Sequence, residues 1–159
     1  MSTRKTVRRK ATPRRNAGYP GAGHEPDAGM ETKDILRDVL RRYRGQPREV
    51  IGHETGRREG RQAAYRLAHQ PPLRAVGTDE FRKRAFGLAE AGAVGLRWAI
   101  KDHFPGLAGG AAGLQQMVEA YSVGFGQGVL QWTREQMAEA ERSEARANPG
   151  RRARRCSRR

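Results

Sequence analysis

Residues 114–132 read LQQMVEAYSVGFGQGVLQW, and their apolar side chains recur every three or four positions. This spacing predicts an α-helix with one continuous apolar stripe. The stripe consists of Leu114, Met117, Val118, Tyr121, Phe125, Val129 and Trp132. Gly124 and Gly128 lie beside it, four residues apart and therefore on one helix face. Beyond Trp132 charged residues replace the stripe, so we expect either a solvated extension of this helix or a segment that packs on something outside the chain.

The segment before it predicts another helix, which begins at Thr78 and runs to about His103. Thr78 is a favourable N-cap, and Asp79 and Glu80 suit the positive end of the helix dipole. Between residues 81 and 100 nearly every side chain is apolar or small, and the polar exceptions follow one narrow line. We therefore expect a helix buried around most of its circumference, either central to a bundle or half of a dimer interface.

Small residues suggest how these two helices meet. Gly87, Ala91 and Gly95 form a seam that matches Gly124 and Gly128 on the following helix. A glycine-rich link at 106–113 separates the two segments. We therefore expect the two helices to pack closely as an antiparallel hairpin.

A shorter helix is expected upstream, from an N-cap at Thr32 to a stop at Gly45 and Pro47. Its apolar positions recur at helical spacing and are Ile35, Leu36, Val39, Leu40 and Tyr43. Its outer face carries Arg37, Arg41, Arg42 and Arg44.

The segment that follows gives a weaker prediction. Gly52, Gly56 and Gly60 could form a small-residue seam for a neighbouring helix, but each costs about 1 kcal/mol relative to alanine within a helix. We therefore expect a secure helix only from about Arg58 to His69.

The fold class follows from these segments and from the absence of period-two alternation. We expect an all-α protein, a compact bundle of three to four helices over residues 30–147, with disordered basic arms at residues 1–29 and 148–159. Neither arm has enough apolar residues to offset the entropy cost of ordering it.

Positive charge is concentrated in the two arms. The chain has 32 basic and 17 acidic residues, for a net charge of +15. Residues 1–29 contain seven basic and two acidic residues, and residues 148–159 contain six arginines and no acid. Terminal segments of one sign are typical of interaction arms, and the arginine fork suits phosphate.

We therefore expect sequence-nonspecific binding of DNA or RNA, with the helical domain as a scaffold and the arms neutralising phosphates. The expected contacts in the arms are Arg4, Lys5, Arg8, Arg9, Lys10, Arg14, Arg15, Arg151, Arg152, Arg154, Arg155, Arg158 and Arg159. A second contact face is expected at Arg57, Arg58 and Arg61.

Three other functions fit parts of the sequence. A structural or assembly protein would form an oligomer through its helical core, and its arms would contact an acidic partner. Attachment to an anionic membrane would use the arms alone, which lack the Trp, Phe and Leu needed for insertion. A helix-turn-helix regulator could use the first two helices, although the turn pattern is not specific.

The sequence contains no assembled catalytic site. His53-Glu54 resembles half of a zinc-protease motif, but position 57 is arginine instead of the second histidine. The glycines of residues 124–128 lack the lysine of a phosphate-binding loop. Glu90 sits in an otherwise apolar segment, where an ion pair is favoured over a general acid. We expect no enzyme activity, no cofactor, no metal and no small-molecule substrate.

Cys156 is the only cysteine, and its arginine neighbours favour the reactive thiolate, which suits a reducing cytosol. No apolar region follows the basic N-terminus as in a secretory signal, and no run of about 18 apolar residues occurs. We expect a cytoplasmic protein associated with nucleic acid.

Overall fold

The computed structural model describes residues 29–69 and 76–147. These residues form four α-helices and no strand, which confirms the all-α class. The helices are α1 (Thr32–Arg42), α2 (Arg48–His69), α3 (Asp79–His103) and α4 (Ala111–Ala147). The arms expected at the two ends lie outside the described residues, except for Gly29.

Helix α1 differs from the prediction at its first residue. Glu31, in an extended conformation, is the N-cap and makes no side-chain cap hydrogen bond, so the expectation of Thr32 as the cap is wrong. At the other end Tyr43 donates its backbone N–H to the Val39 carbonyl at 2.8 Å. Gly45 then turns the chain with φ +82°, a conformation that favours glycine, and this confirms the predicted stop.

Helix α2 begins at Arg48, ten residues before the expected secure start at Arg58. Gly52, Gly56 and Gly60 explain the difference. A β-carbon built on these glycines would lie 2.4, 2.0 and 2.1 Å from carbonyl oxygens of α4. The oxygens belong to Met117, Tyr121 and Phe125. Tertiary packing therefore outweighs the low helix propensity of the three glycines.

The glycines of α4 complete the same contact. A β-carbon on Gly124 or Gly128 would lie 2.0 Å from the carbonyl oxygen of His53 or Arg57. Residue numbers rise together along both helices, so α2 and α4 run parallel with their backbones touching. At this separation, Cα–H groups of one helix can contact carbonyl oxygens of the other.

This arrangement corrects the expected partner of the α4 glycines. They pack on α2, not on the seam of α3, and a β-carbon on Gly87 would have no neighbour within 4 Å. Both α2 and α3 carry small residues at a spacing of four, so the sequence pattern alone could not show which of them contacts the glycines of α4.

Helices α3 and α4 nevertheless form an antiparallel pair, as expected. Phe81 at the start of α3 stacks on Trp132 of α4, with ring centroids 6.3 Å apart. Near the other end, Arg97 donates to Gln115 at 3.4 Å. The Thr78 hydroxyl accepts the Phe81 backbone N–H at 3.2 Å, which confirms the predicted N-cap.

Within this chain α3 is not the mostly buried central helix of a bundle, so that alternative is wrong, whereas half of a dimer interface stays a prediction. Only one side of this helix is buried, and its buried residues are Phe81, Ala85, Leu96, Ala99 and Ile100. Leu88, Val94 and Trp98 are 41%, 51% and 58% exposed. The most extensive contacts belong instead to α2, which packs on α1, on α3 and along α4. Helix α3 carries apolar residues on most of its sides, but the other helices cover only one side.

The end of α4 confirms the expected solvated extension. Thr133 is its last buried residue, and residues 134–147 are exposed or half-buried. Within 29–69 and 76–147, none of the helices has the length and apolar character needed to cross a membrane.

Candidate nucleic-acid interface

Three of the expected phosphate contacts, Arg57, Arg58 and Arg61, lie on α2. The other thirteen belong to the arms and lie outside the described residues. The environment of the three α2 arginines follows from the parallel packing of α2 and α4, which places α4 side chains within their reach.

Arg57 is bound by two polar groups of the protein itself. Its Nε and Nη2 donate to the Glu54 carboxylate at 2.9 and 2.7 Å. Its Nη1 donates to Gln131 on α4 at 3.0 Å. All three nitrogens of the guanidinium are therefore occupied by this chain.

Arg58 connects α2 to α1. Its Nη1 lies 2.5 Å from the Asp38 carboxylate, and its Nε lies 3.5 Å from Glu54. The hydrogen bond from Arg58 lowers the pKa of Asp38. Burial acts to raise the pKa of Glu54, but hydrogen bonds and charge from Arg57 and Arg58 outweigh it and lower that pKa. Both carboxylates are therefore held ionised beside the arginines.

Arg61 connects α2 to α4 through a bidentate pair. Its Nη1 and Nη2 both donate to Glu135 at 2.8 Å. The hydrogen bond from Arg61 lowers the pKa of Glu135. A phosphate group would have to compete with this carboxylate, as it would at Arg57 and Arg58. Phosphate binding by the three residues stays a prediction, and the structure gives each of them a role in joining helices.

A different group of arginines is free of such pairing. Arg41, Arg44 and Arg48 lie at the connection between α1 and α2 and are exposed. None of the three has a carboxylate within 4 Å among the residues that the structure describes. We call these three residues the α1–α2 patch. The sequence RRYRGQPR of residues 41–48 contains the signal, but the helical pattern of α1 includes Arg41 and Arg44 on its outer face and does not extend to Arg48.

Arg48 lies beside the first turn of α4. A β-carbon on Gly109 or Gly113 would lie 2.1 or 3.1 Å from its guanidinium nitrogens. The first turn of α4 contains no acidic residue. The guanidinium therefore lies near the positive end of the α4 helix dipole, and each of these two positive groups attracts anions.

A second buried acid besides Glu54 is Glu59, which the sequence did not single out. It accepts hydrogen bonds from the Tyr121 and Thr32 hydroxyls, between α1, α2 and α4. Burial raises the pKa of Glu59 despite these two donors, and burial beside Glu59 raises the pKa of Tyr121. Glu90, expected to lie in apolar surroundings, is exposed instead.

The surroundings of Glu59 favour a structural role. A β-carbon on Gly92 of α3 would lie 3.1 Å from Glu59 Oε2 and still closer to the Tyr121 hydroxyl. The carboxyl group is therefore enclosed by the helices, and its two donors come from the protein.

No cluster of three His, Cys, Asp or Glu side chains that could hold a metal occurs within 29–69 and 76–147. His53, the histidine of the incomplete zinc-protease motif, lies 3.0 Å from Gln127 on α4. Comparison with protein-family models, with curated proteins and with solved structures finds no match to this chain.

Proposed function

We propose that this protein binds nucleic acid through electrostatic contacts with phosphate, without reading base sequence. The observation that carries the proposal is the distribution of charge. Residues 1–28 and 148–159 together contain thirteen basic and two acidic residues, whereas the described residues contain eighteen basic and fifteen acidic ones. Most of the excess of positive charge thus belongs to the terminal segments.

Ion pairing within the helical domain supports this division. Arg57, Arg58 and Arg61 are matched by carboxylates of α1, α2 and α4, so they add little to the attraction of a polyanion. Arginines of the terminal segments would instead neutralise phosphates and release the counterions condensed on the nucleic acid. Such contacts give affinity and little sequence information.

The composition of the basic segments favours a duplex over a single strand. Single-strand binders stack bases on aromatic side chains beside their basic residues. Residues 148–159 contain no aromatic residue, and residues 1–28 contain only Tyr19. Within the domain, the α1–α2 patch supplies three further cations that can contact phosphate.

Salt-dependent binding of full-length protein to random-sequence duplex DNA tests the proposal. If about six charges engage, log K falls with log salt at a slope near −5. A variant with the six arginines of residues 151–159 changed to glutamine should bind more weakly and with a shallower slope. Absent binding at low salt, or a slope unchanged in this variant, would contradict the proposal.

An assembly protein is the second candidate, and exposed apolar residues of α3 favour it. Val94 and Trp98 are more than half exposed on a helix that is packed against its neighbours on one side only. In that function the helical core would form an oligomer and the arms would contact an acidic partner. Oligomeric mass separates this candidate from a monomeric nucleic-acid binder.

A further inference from the structure

One side of α3 presents a row of apolar and small residues to solvent. We call Gly87, Ala91, Val94 and Trp98 the outward face of α3; all four are exposed. Their spacing of four, three and four residues places them along one line of the helix. Alternate spacings of three and four are also the pattern with which two helices pair in a coiled coil.

Gly87 has no explanation within the described chain. The glycines of α2 and α4 permit backbone contact, but a β-carbon on Gly87 would meet nothing within 4 Å. A glycine inside a helix is disfavoured relative to alanine, because it loses more backbone freedom on folding. If a helix of another molecule packed closely here, Gly87 would permit backbone contact as Gly56 and Gly124 do between α2 and α4.

We propose that α3 pairs antiparallel with α3 of a second copy of this chain through this outward face. The twofold axis passes between Gly92 and Ala93. In this register Trp98 lies opposite the partner's Gly87, and Val94 lies opposite the partner's Ala91. Each large side chain therefore meets a small one, and the symmetry repeats both contacts.

Charge complementarity favours a second copy of this chain as the partner of α3, and it favours antiparallel over parallel pairing. Glu90 and Arg97 are seven residues apart, so they lie along the same edge of the outward face, and both are exposed. The same register brings Glu90 beside the partner's Arg97, and the twofold axis repeats the pair. In a parallel pair the two residues would be separated by seven positions, about 10 Å along the helix. Glu90 forms no ion pair among the described residues, and Arg97 makes one 3.4 Å hydrogen bond to Gln115.

The ends of the face carry cations that are already engaged within each copy. In the proposed register Arg84 approaches the partner's Lys101. Arg84 is paired with Glu80 at 2.9 Å, and the Lys101 ammonium lies 5.3 Å from the Trp98 ring centroid. The paired region therefore covers the residues between these two cations.

The inference is independent of nucleic-acid binding, and charge reversal tests it. The mass of full-length protein without nucleic acid is measured by sedimentation equilibrium over a range of concentrations. The protein should be a dimer, and Glu90→Arg or Arg97→Glu alone should raise the dimer dissociation constant at least tenfold. The double variant Glu90→Arg/Arg97→Glu should restore the dimer, because both pairs then exist with reversed sign.

Two variants test whether dimer formation depends on the outward face of α3 or on exposed apolar residues in general. Trp98→Arg should give a monomer with an unchanged helical circular dichroism spectrum. Val123→Arg, on α4 and also 58% exposed at the native side chain, should leave the dimer intact. A monomeric native protein, a dimer that survives Trp98→Arg, or a double variant no more dimeric than the single ones would overturn the proposal. None of these outcomes bears on binding to DNA.

Discussion

Tyr121 of α4 donates its phenolic hydrogen to the Glu59 carboxylate of α2, and both side chains are buried. The contact joins the two helices whose backbones touch. Because burial raises the pKa of Glu59, the folded state holds the proton of this carboxyl more tightly than the unfolded chain does. The contact is therefore coupled to pH.

The native protein should lose stability at high pH because Glu59 ionises there, and Glu59→Gln should abolish this loss. In the native protein, the favourable contribution of Glu59 is fully present below its ordinary pKa of 4.5 and is lost as the pH rises through the raised value. Glutamine has the same shape and cannot ionise. Urea unfolding should show the variant more stable than the native protein at pH 8, with the difference shrinking below pH 4.5. A difference that is constant with pH would contradict this explanation.

Tyr121→Phe should have its largest cost where Glu59 is ionised. The substitution removes one donor to a buried carboxylate, which should destabilise the fold by about 1–3 kcal/mol at pH 8. The cost should be smaller at pH 4, where the protonated carboxyl depends less on that donor. In the Glu59→Gln background the pH dependence of this cost should vanish, and its persistence would identify another titrating group.

Gly56→Ala and Gly87→Ala should change stability in opposite directions. A methyl group at Gly56 would lie 2.0 Å from the Tyr121 carbonyl oxygen, so α2 and α4 must separate, at a cost of about 3 kcal/mol. A methyl group at Gly87 meets open space and should stabilise the helix by about 0.5–1 kcal/mol. Thermal unfolding of the two glycine variants in the Trp98→Arg background, which we expect to be monomeric, would measure these changes without a contribution from dimer formation.

Arginines of the domain should divide into two functional groups. Arg58→Ala should lower the free energy of unfolding by about 1–3 kcal/mol, because it removes the ion pair that joins Asp38 of α1 to α2 and leaves the buried Glu54 with Arg57 alone. Arg41→Gln/Arg44→Gln should change stability by less than about 0.5 kcal/mol per site. The same double variant should weaken DNA binding and make its salt dependence shallower by up to about 0.9 per lost phosphate contact.

The matched control keeps the fold and changes one paired arginine. Arg61→Gln removes an ion pair with the partly exposed Glu135, so it should cost less than about 1 kcal/mol. We expect its affinity for DNA to stay within about twofold of the native protein. If Arg61→Gln weakens binding more than Arg41→Gln does, the sequence-based prediction of an α2 contact face is favoured over the α1–α2 patch.

Helix positions were largely predictable because they depend on local patterns. The spacing of Leu114 to Trp132, the cap at Thr78 and the stop at Gly45 are read from neighbouring residues, and the structure confirms them. The start of α2 was not predictable in the same way. Its glycines are unfavourable locally and become favourable only when α4 lies against them.

The burial of acidic residues was predicted less well, for a related reason. Glu90 was singled out because its sequence neighbours are apolar, but it points away from the other helices. Glu59 has arginine and glycine neighbours in sequence, yet it is buried because Tyr121, 62 positions later, packs beside it. Periodicity shows which face of a helix is apolar, and it does not show which partner covers that face.

The parallel pairing of α2 and α4 has a consequence for the kinetics of folding. Helical bundles usually fold quickly because most of their contacts are local in sequence. Here Arg57 reaches Gln131 across 74 positions, and the backbone contacts of the glycines span similar distances. Helix α2 can dock only after the chain has closed a loop containing all of α3, which costs entropy before any contact is gained. The domain should therefore fold more slowly than its helix content alone would indicate, with the α3–α4 pair formed before α2 arrives.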